Sequence, residues 1–299
     1  MTDPTLPSAQ RQSRKPYRSR WESVGWIAAV PIAILLLISV STNRNFHWDI
    51  VWDYLAAAVI LRGIWMTLLL TTVSIFFGVV FGAVLAIMLR SSSTFLSKLA
   101  FAYVWFFRGT PLLVQLIFWF NLAALYPTIG FPGFEVNATH VITPFFAAVV
   151  GLTSNEAAYM AEIIRGGFES VSLGQTEAAS SLGLRPRHVT FRILLPQAMR
   201  LIVPIIGNQT IAMLKNSSLV SVLGVSELLH SAEIVYGSNS QTIPLLVVAC
   251  AWYLAMSTVL TVIQHAVEHA YGRSTRRARV ALSKPLEGAE EILLKVGNE

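Results

Sequence analysis

The apolar residues of this chain are gathered into six long runs with short polar stretches between them. The runs cover roughly residues 24–40, 63–89, 99–126, 141–165, 201–224 and 243–270. About 20 consecutive apolar residues suffice to cross a bilayer as a helix. Two runs, Gly63 to Leu89 and Ile243 to Gln264, contain no charge at all. The third, fourth and fifth are interrupted by Arg108, Glu156 and Lys215. The pattern predicts an all-α chain with six transmembrane helices.

The stretches between the runs fit that reading. Residues 127–140 are rich in Pro, Gly and Thr, as suits a short extramembrane connection. Trp48, Trp52 and Tyr54 lie where a chain would meet the membrane–water boundary. Gly78 and Gly82 form a small-xxx-small pair that permits close helix contact. The first run follows a basic stretch, as a signal peptide would. It is longer than the ~7–15 residues of a signal core, and Thr42-Asn43-Arg44 offers no clear cleavage pattern. The expectation is a retained anchor helix at 24–42.

Composition changes the picture only through where the charges sit. The chain is 54% hydrophobic and 13% charged, against about 25% charged for a soluble domain. Of 22 Lys and Arg, 18 fall on one side of the six-run layout. These are Arg11, Arg14, Lys15, Arg18, Arg20, Arg90, Lys98, Arg165, Arg185, Arg187, Arg192 and Arg200, then Arg273, Arg276, Arg277, Arg279, Lys284 and Lys295. Arg44 and Arg62 fall on the other. Basic loops mark the cytoplasm, so both termini are expected there, with a basic tail at 1–23 and a second tail at 271–299. The basic residues flank apolar runs instead of forming one patch, which argues against nucleic acid. The lone Cys250 cannot form an internal disulfide.

The connection at 166–200 is long for a structureless loop, and such loops are usually functional. It carries helical punctuation instead. Ser172 and Gln175 have the spacing of a capping box. Gly183 suits a left-handed stop, and Pro186 suits a first helical turn. Pro196 is expected to end or kink the second helix. Two short helices at an angle on the cytoplasmic face are predicted.

Within this connection Glu177, Ala178, Ala179, Gly183, Ile193, Leu195 and Pro196 stand in a spacing that resembles the EAA loop of bacterial ABC importer permeases. Further stretches resemble the polar amino acid branch of that family. They are Phe107-Arg108-Gly109-Thr110-Pro111-Leu112-Leu113-Val114-Gln115, the run Ala158 to Gly167, Gly174-Gln175, and Leu214 to Ser221. The branch more often has Asp-Thr where this chain has Asn216-Ser217. The resemblance covers about residues 62–269. It implies a MetI-like permease core at 62–270 plus one extra N-terminal helix, in the bacterial inner membrane. It further implies an importer of a polar amino acid, an opine or another amino acid derivative. Two permease subunits, identical or related, would surround the path. A separate ABC ATPase using ATP and Mg would dock on the EAA loop, and an extracytoplasmic solute-binding protein would deliver ligand. The chain has no phosphate-binding loop of its own, so neither catalytic residues nor a cofactor are expected in it.

Ionisable groups inside a span cost ~2.5–3.5 kcal/mol or more at its centre and require a partner or a role. Glu156 lies 12 residues past Pro144, about 18 Å deep. It is either a ligand contact or an interhelical polar partner. Asn155, Tyr159 and Glu162 share one helix face, with Glu156 about 100° away. Asn155, Glu156, Tyr159 and Lys215 form the candidate substrate path. Glu162 is expected to pair locally with Arg165, and Arg108, Gly109, Thr110 and Pro111 to serve the common scaffold. His265 and His269 lack an evident third ligand, so no metal site is expected. A secondary transporter would commonly show internal repeats, and none is evident. A membrane enzyme or receptor would leave the EAA loop idle.

Overall fold

The computed structural model describes residues 20–131 and 134–296, with side chains over 29–131 and 135–271. Residues 1–19 of the predicted tail at 1–23, and the side chains of the basic residues from 273 onward, lie outside the described residues. The chain divides into two units, 1–48 and 49–299. In the first, α1 (Arg20–Thr42) leads into a single 3-10 turn, Arg44–Phe46. The Trp48 indole donates to the Val40 carbonyl at 3.2 Å and stacks on Phe46.

The second unit is built from helices and one hairpin. A short amphipathic α2 (Trp48–Leu55) precedes α3 (Ala58–Leu89), which spans the charge-free second run. Next come α4 (Thr94–Gly109) and α5 (Leu112–Leu125). The short connection at 127–140 holds a hairpin, β1 (Thr128–Phe131) paired antiparallel with β2 (Phe134–Asn137). Thr128 faces Asn137, and Ile129 faces Val136. The fold is thus mostly helical and not strictly all-α. After α6 (Ala138–Val141) runs α7 (Pro144–Glu169), capped by Thr143, whose hydroxyl accepts from the Phe146 amide at 3.2 Å. The remaining elements are α8 (Leu173–Ser181), α9 (Pro186–His188), a π-helical turn (Val189–Leu194) and α10 (Leu195–Asn216). A 3-10 segment (Ser217–Leu223), α11 (Leu228–Asn239) and α12 (Thr242–Val296) complete it.

Among the described residues three helices are long and apolar enough to cross a membrane: Ala58–Leu89, Pro186–Leu223 and Thr242–Tyr271. The number rises to five if the pairs Ala29–Thr42 with Arg44–Leu55, and Thr94–Gly109 with Leu112–Leu125, each count as one broken span. The third predicted span is therefore not one continuous helix, since α4 and α5 meet at 106°. The cause is local. Thr110 precedes a proline and is held extended (φ −115°, ψ 145°), because the proline ring disfavours the helical region there.

The fourth predicted span, α7, is not among the three. It is nonetheless the centre of the unit, packed by α3, α4, α5 and α10, with Ala147, Ala148, Leu152, Ala157, Ala158, Met160 and Ala161 buried. A helix shielded by neighbours does not have to satisfy lipid with its own surface, so it can carry polar residues. Its seam with α3 is made by Gly78 and Gly82. A Cβ on Gly78 would stand 2.7 Å from Glu156 Cγ, and one on Gly82 would overlap Met160 Cβ. The small-residue pair thus sets the close approach of these two helices. Leu70, Leu116, Leu152, Met213 and Val220 fill the core beside it.

Candidate functional site

The 166–200 connection folds into one separate helix and one that merges with the next span. Helix α8 ends in a Schellman motif. The Leu184 amide donates to the Ala179 carbonyl at 3.2 Å, and the Gly183 amide to the Ser180 carbonyl at 2.9 Å. Gly183 sits at φ +72°, the left-handed region expected of it. Pro186 opens α9. Two expectations are corrected. Ser172 precedes α8 but makes no side-chain cap bond, and its carbonyl accepts from the Gln175 amide at 3.0 Å. The capping box does not form. Nor does Pro196 end a helix. It lies inside a continuous helical stretch, directly after a π-helical turn that accommodates the missing amide as a local distortion. The π-helical turn just before it lets Pro186–Leu223 run on as one element.

This arrangement leaves large apolar side chains uncovered among the described residues. Leu173, Leu182 and Phe191 are 79%, 80% and 60% exposed, and Leu184 is exposed beside them. Glu177, Ala178, Gly183 and Pro196 are also exposed, Ile193 and Leu195 are half-buried, and Ala179 is buried. Ala198 and Ile202 of α10 are buried where α10 packs on Gly167 of α7.

The motif residues Arg108 to Pro111 surround the α4–α5 break, and a polar clamp holds it. Gln115 Nε2 lies 2.9 Å from the Phe107 carbonyl, 3.1 Å from the Thr110 carbonyl and 2.7 Å from Thr110 Oγ1. Asn155 Nδ2 donates to the same Phe107 carbonyl at 3.0 Å and to Gln115 Oε1 at 3.2 Å. Buried Asn155 thus satisfies backbone exposed by the break instead of joining Glu156. Gln115 was part of the quoted motif, but its clamping role was not legible without the bend.

Glu162 has the local partner expected, with Arg165 Nη2 donating at 2.8 Å and Nε at 3.3 Å. It also meets Arg108 across the α4–α7 interface at 3.5 Å. The Arg108 guanidinium stands 5.4 Å over the Tyr159 ring, and Arg165 Nη1 reaches Glu169 at 2.8 Å. Scaffold and path candidates therefore meet in one ion network, which lines a cleft of about 460 Å³ together with Phe101, Trp105 and Gly109.

Glu156 is 1% exposed. Gln209 Nε2 donates to its Oε2 at 3.2 Å, while Oε1 has no hydrogen-bond partner among the described residues. Ser74 Oγ and Thr153 Oγ1 are likewise buried without one. Lys215 is exposed on α10 and is not brought to Glu156. The sequence did not single out Gln209. The available signal was a carboxamide inside an apolar run. It also missed Glu227, fully buried, whose Oε1 accepts from the His230 amide at 2.8 Å and whose Oε2 accepts from Tyr253 at 2.5 Å. With Thr67 Oγ1 accepting from the Leu228 amide at 3.1 Å, this cluster ties α3, α11 and α12 together. His265 Nδ1 lies 3.5 Å from Glu268, and no group of described residues has the makings of a metal site.

Residues 78–273 match the family model described as the binding-protein-dependent transport system inner membrane component. The chain belongs to this family. The permease is 40% identical over 262 residues to the arginine transport system permease protein ArgU of Corynebacterium glutamicum, covering 86% of this chain and 83% of that one. It is 34% identical over 242 residues to the L-cystine transport system permease protein TcyB of Bacillus subtilis, covering 79% and 96%. Among solved structures, that of an amino acid ABC transporter with histidines superposes with a TM-score of 0.64. It is 33% identical to the permease, over 71% of this chain and 94% of that one. The permease is a multi-pass inner membrane protein and a transport component.

Proposed function

We propose that the chain is the path-forming subunit of an ATP-driven importer for an amino acid, with ATP and Mg used by a separate ATPase docked on the 166–200 connection. The observation that carries this is the exposed apolar face of Leu173, Leu182, Leu184 and Phe191 around the Gly183 turn. It sits among residues matching the EAA spacing. Outside the bilayer, where the charge bias places this connection, exposed apolar side chains mark a protein contact. The arginine and cystine named for the two relatives, and the histidine of the solved structure, support an amino acid as cargo. The charge bias supports six spans with both termini cytoplasmic, 24–42 as an added anchor helix and 62–270 as the core. A second permease subunit and an extracytoplasmic binding protein complete the assembly.

Glu156 supplies a carboxylate with one unengaged oxygen inside the core, suited to a ligand ammonium. Tyr159 and the Arg108–Glu162 pair line the neighbouring cleft, and Lys215 offers a cation from α10. The test is reconstitution of the permease with its ATPase and binding protein in proteoliposomes, followed by uptake of a panel of amino acids. ATP-dependent uptake that needs all three components is expected. Uptake driven by an ion gradient without ATP would overturn the proposal.

A further inference from the structure

A cleft of about 410 Å³ opens where α3 ends, between α3, α7 and the π-helical turn. Its wall is apolar, made by Ile87, Ile164, Phe168 and Leu194. Its rim is polar, made by Arg90, Ser91, Ser92 and Thr190. The Arg90 guanidinium stands 5.0 Å over the Phe168 ring and has no ion-pair partner among the described residues. The ring contact anchors the guanidinium at the rim, and its N–H groups suit two oxygens of a phosphate. Ser91 Oγ accepts from the Ser93 amide at 3.1 Å, which leaves its own proton to donate. Lys98 shares a neighbouring cleft with Arg90 and adds a second cation, while Glu162 and Glu169 there are engaged by Arg165 and Arg108.

We propose that this cleft binds an anionic glycerophospholipid of the inner leaflet and that the lipid braces the coupling segment. The proposal rests on the membrane orientation given above. Arg90 is the first charge after the charge-free run Gly63 to Leu89, so it stands at the level of the headgroups. Below it, Val80, Val84 and Ile87 form an exposed apolar stripe on one face of α3. The stripe is about 10 Å long at 1.5 Å per residue, a track for acyl chains leading into the rim. A soluble anion would use the rim and have no use for the stripe. Basic pockets between helices at the cytoplasmic boundary are where anionic headgroups bind. Thr190 and Leu194 belong to the segment that carries Ile193, Leu195 and Pro196. A lipid lodged against them therefore couples leaflet composition to the ATPase contact.

The test uses the purified permease–ATPase complex in native mass spectrometry, titrated with phosphatidylglycerol, phosphatidylethanolamine or inorganic phosphate. The expected result is retention of phosphatidylglycerol over phosphatidylethanolamine by about fivefold, one basic residue's share near an anionic surface, with no retention of phosphate. Arg90→Gln removes the preference, and Arg90→Lys keeps part of it. Ile87→Trp fills the mouth without changing charge and lowers retention of both lipids. In proteoliposomes, ATP hydrolysis rises with phosphatidylglycerol content for the unaltered chain and stays flat for Arg90→Gln and Ile87→Trp. Co-purification with the ATPase shows that each variant is folded. Wild-type retention by both Arg90→Gln and Ile87→Trp would overturn the site, as would phosphate displacing the lipid. So would efficient cross-linking of Ile87→Cys between two permease copies, in a Cys250→Ala background, because protein would then fill the cleft. A complex that retains lipid as expected but moves no amino acid would instead sink the importer reading and leave the lipid site standing.

Discussion

Replacing Gly183 separates backbone strain from partner contact at the coupling turn. The glycine holds φ +72°, and a Cβ added to it would meet no atom within 4 Å. The permease itself therefore has room for a side chain, and the only intramolecular penalty is the left-handed backbone. For an L-residue that penalty is about 1–2 kcal/mol. If the Schellman turn must be formed for docking, Gly183→Ala should weaken ATPase binding about five- to thirtyfold, since 1.4 kcal/mol is tenfold. Asn tolerates the left-handed region better than Ala, so Gly183→Asn should stay closer to the unaltered chain. Gly183→Asp adds a charge beside the exposed leucines and should abolish ATP-driven uptake while the permease still inserts. The assay is titration of the purified ATPase onto permease in nanodiscs, with uptake and permease thermal unfolding measured in parallel. Equal harm from Ala and Asn would refute the strain argument and leave partner sterics as the cause. Normal binding and uptake in all three variants would refute the coupling role of the loop.

Three further outcomes are expected. Glu156→Gln keeps the size of the side chain and removes its charge, so transport of cationic or zwitterionic amino acids should weaken while the complex still assembles. Loss of assembly would make Glu156 a structural partner of Gln209. Gln115→Leu removes the clamp on the α4–α5 break, taking the side-chain donor from the Thr110 carbonyl and leaving the Phe107 carbonyl to Asn155 alone. Each unsatisfied buried group costs about 1–3 kcal/mol, so the unfolding midpoint in detergent should fall by several degrees, and an unchanged midpoint would mean that water replaces the amide. Topology reporters fused at Asn45 and Val136 should read as extracytoplasmic and one at Gln175 as cytoplasmic, and a protected Val136 would change the span count.

The sequence by itself determined what depends on solvent and on single residues. Long runs without charge, such as Gly63 to Leu89, can be stable only in lipid or deep in protein, and α3 follows that run closely. Gly183 and Pro186 act through their own backbones, so the turn between α8 and α9 was legible from residue type. The EAA spacing was legible because its residues lie in one continuous segment. Tertiary structure decided what depends on neighbours. Asn155 and Glu156 are adjacent in sequence, yet a rotation of about 100° sends Asn155 to the α4–α5 break and Glu156 to Gln209 on α10. The bend at Thr110 and Pro111 is tolerable only because Gln115 and Asn155 return hydrogen bonds to the freed carbonyls, and that pairing joins residues 40 or more positions apart. The polar α7 shows the same limit from the other side. Its hydropathy describes a poor membrane span, because the surface it must satisfy is protein, supplied by α3, α4, α5 and α10.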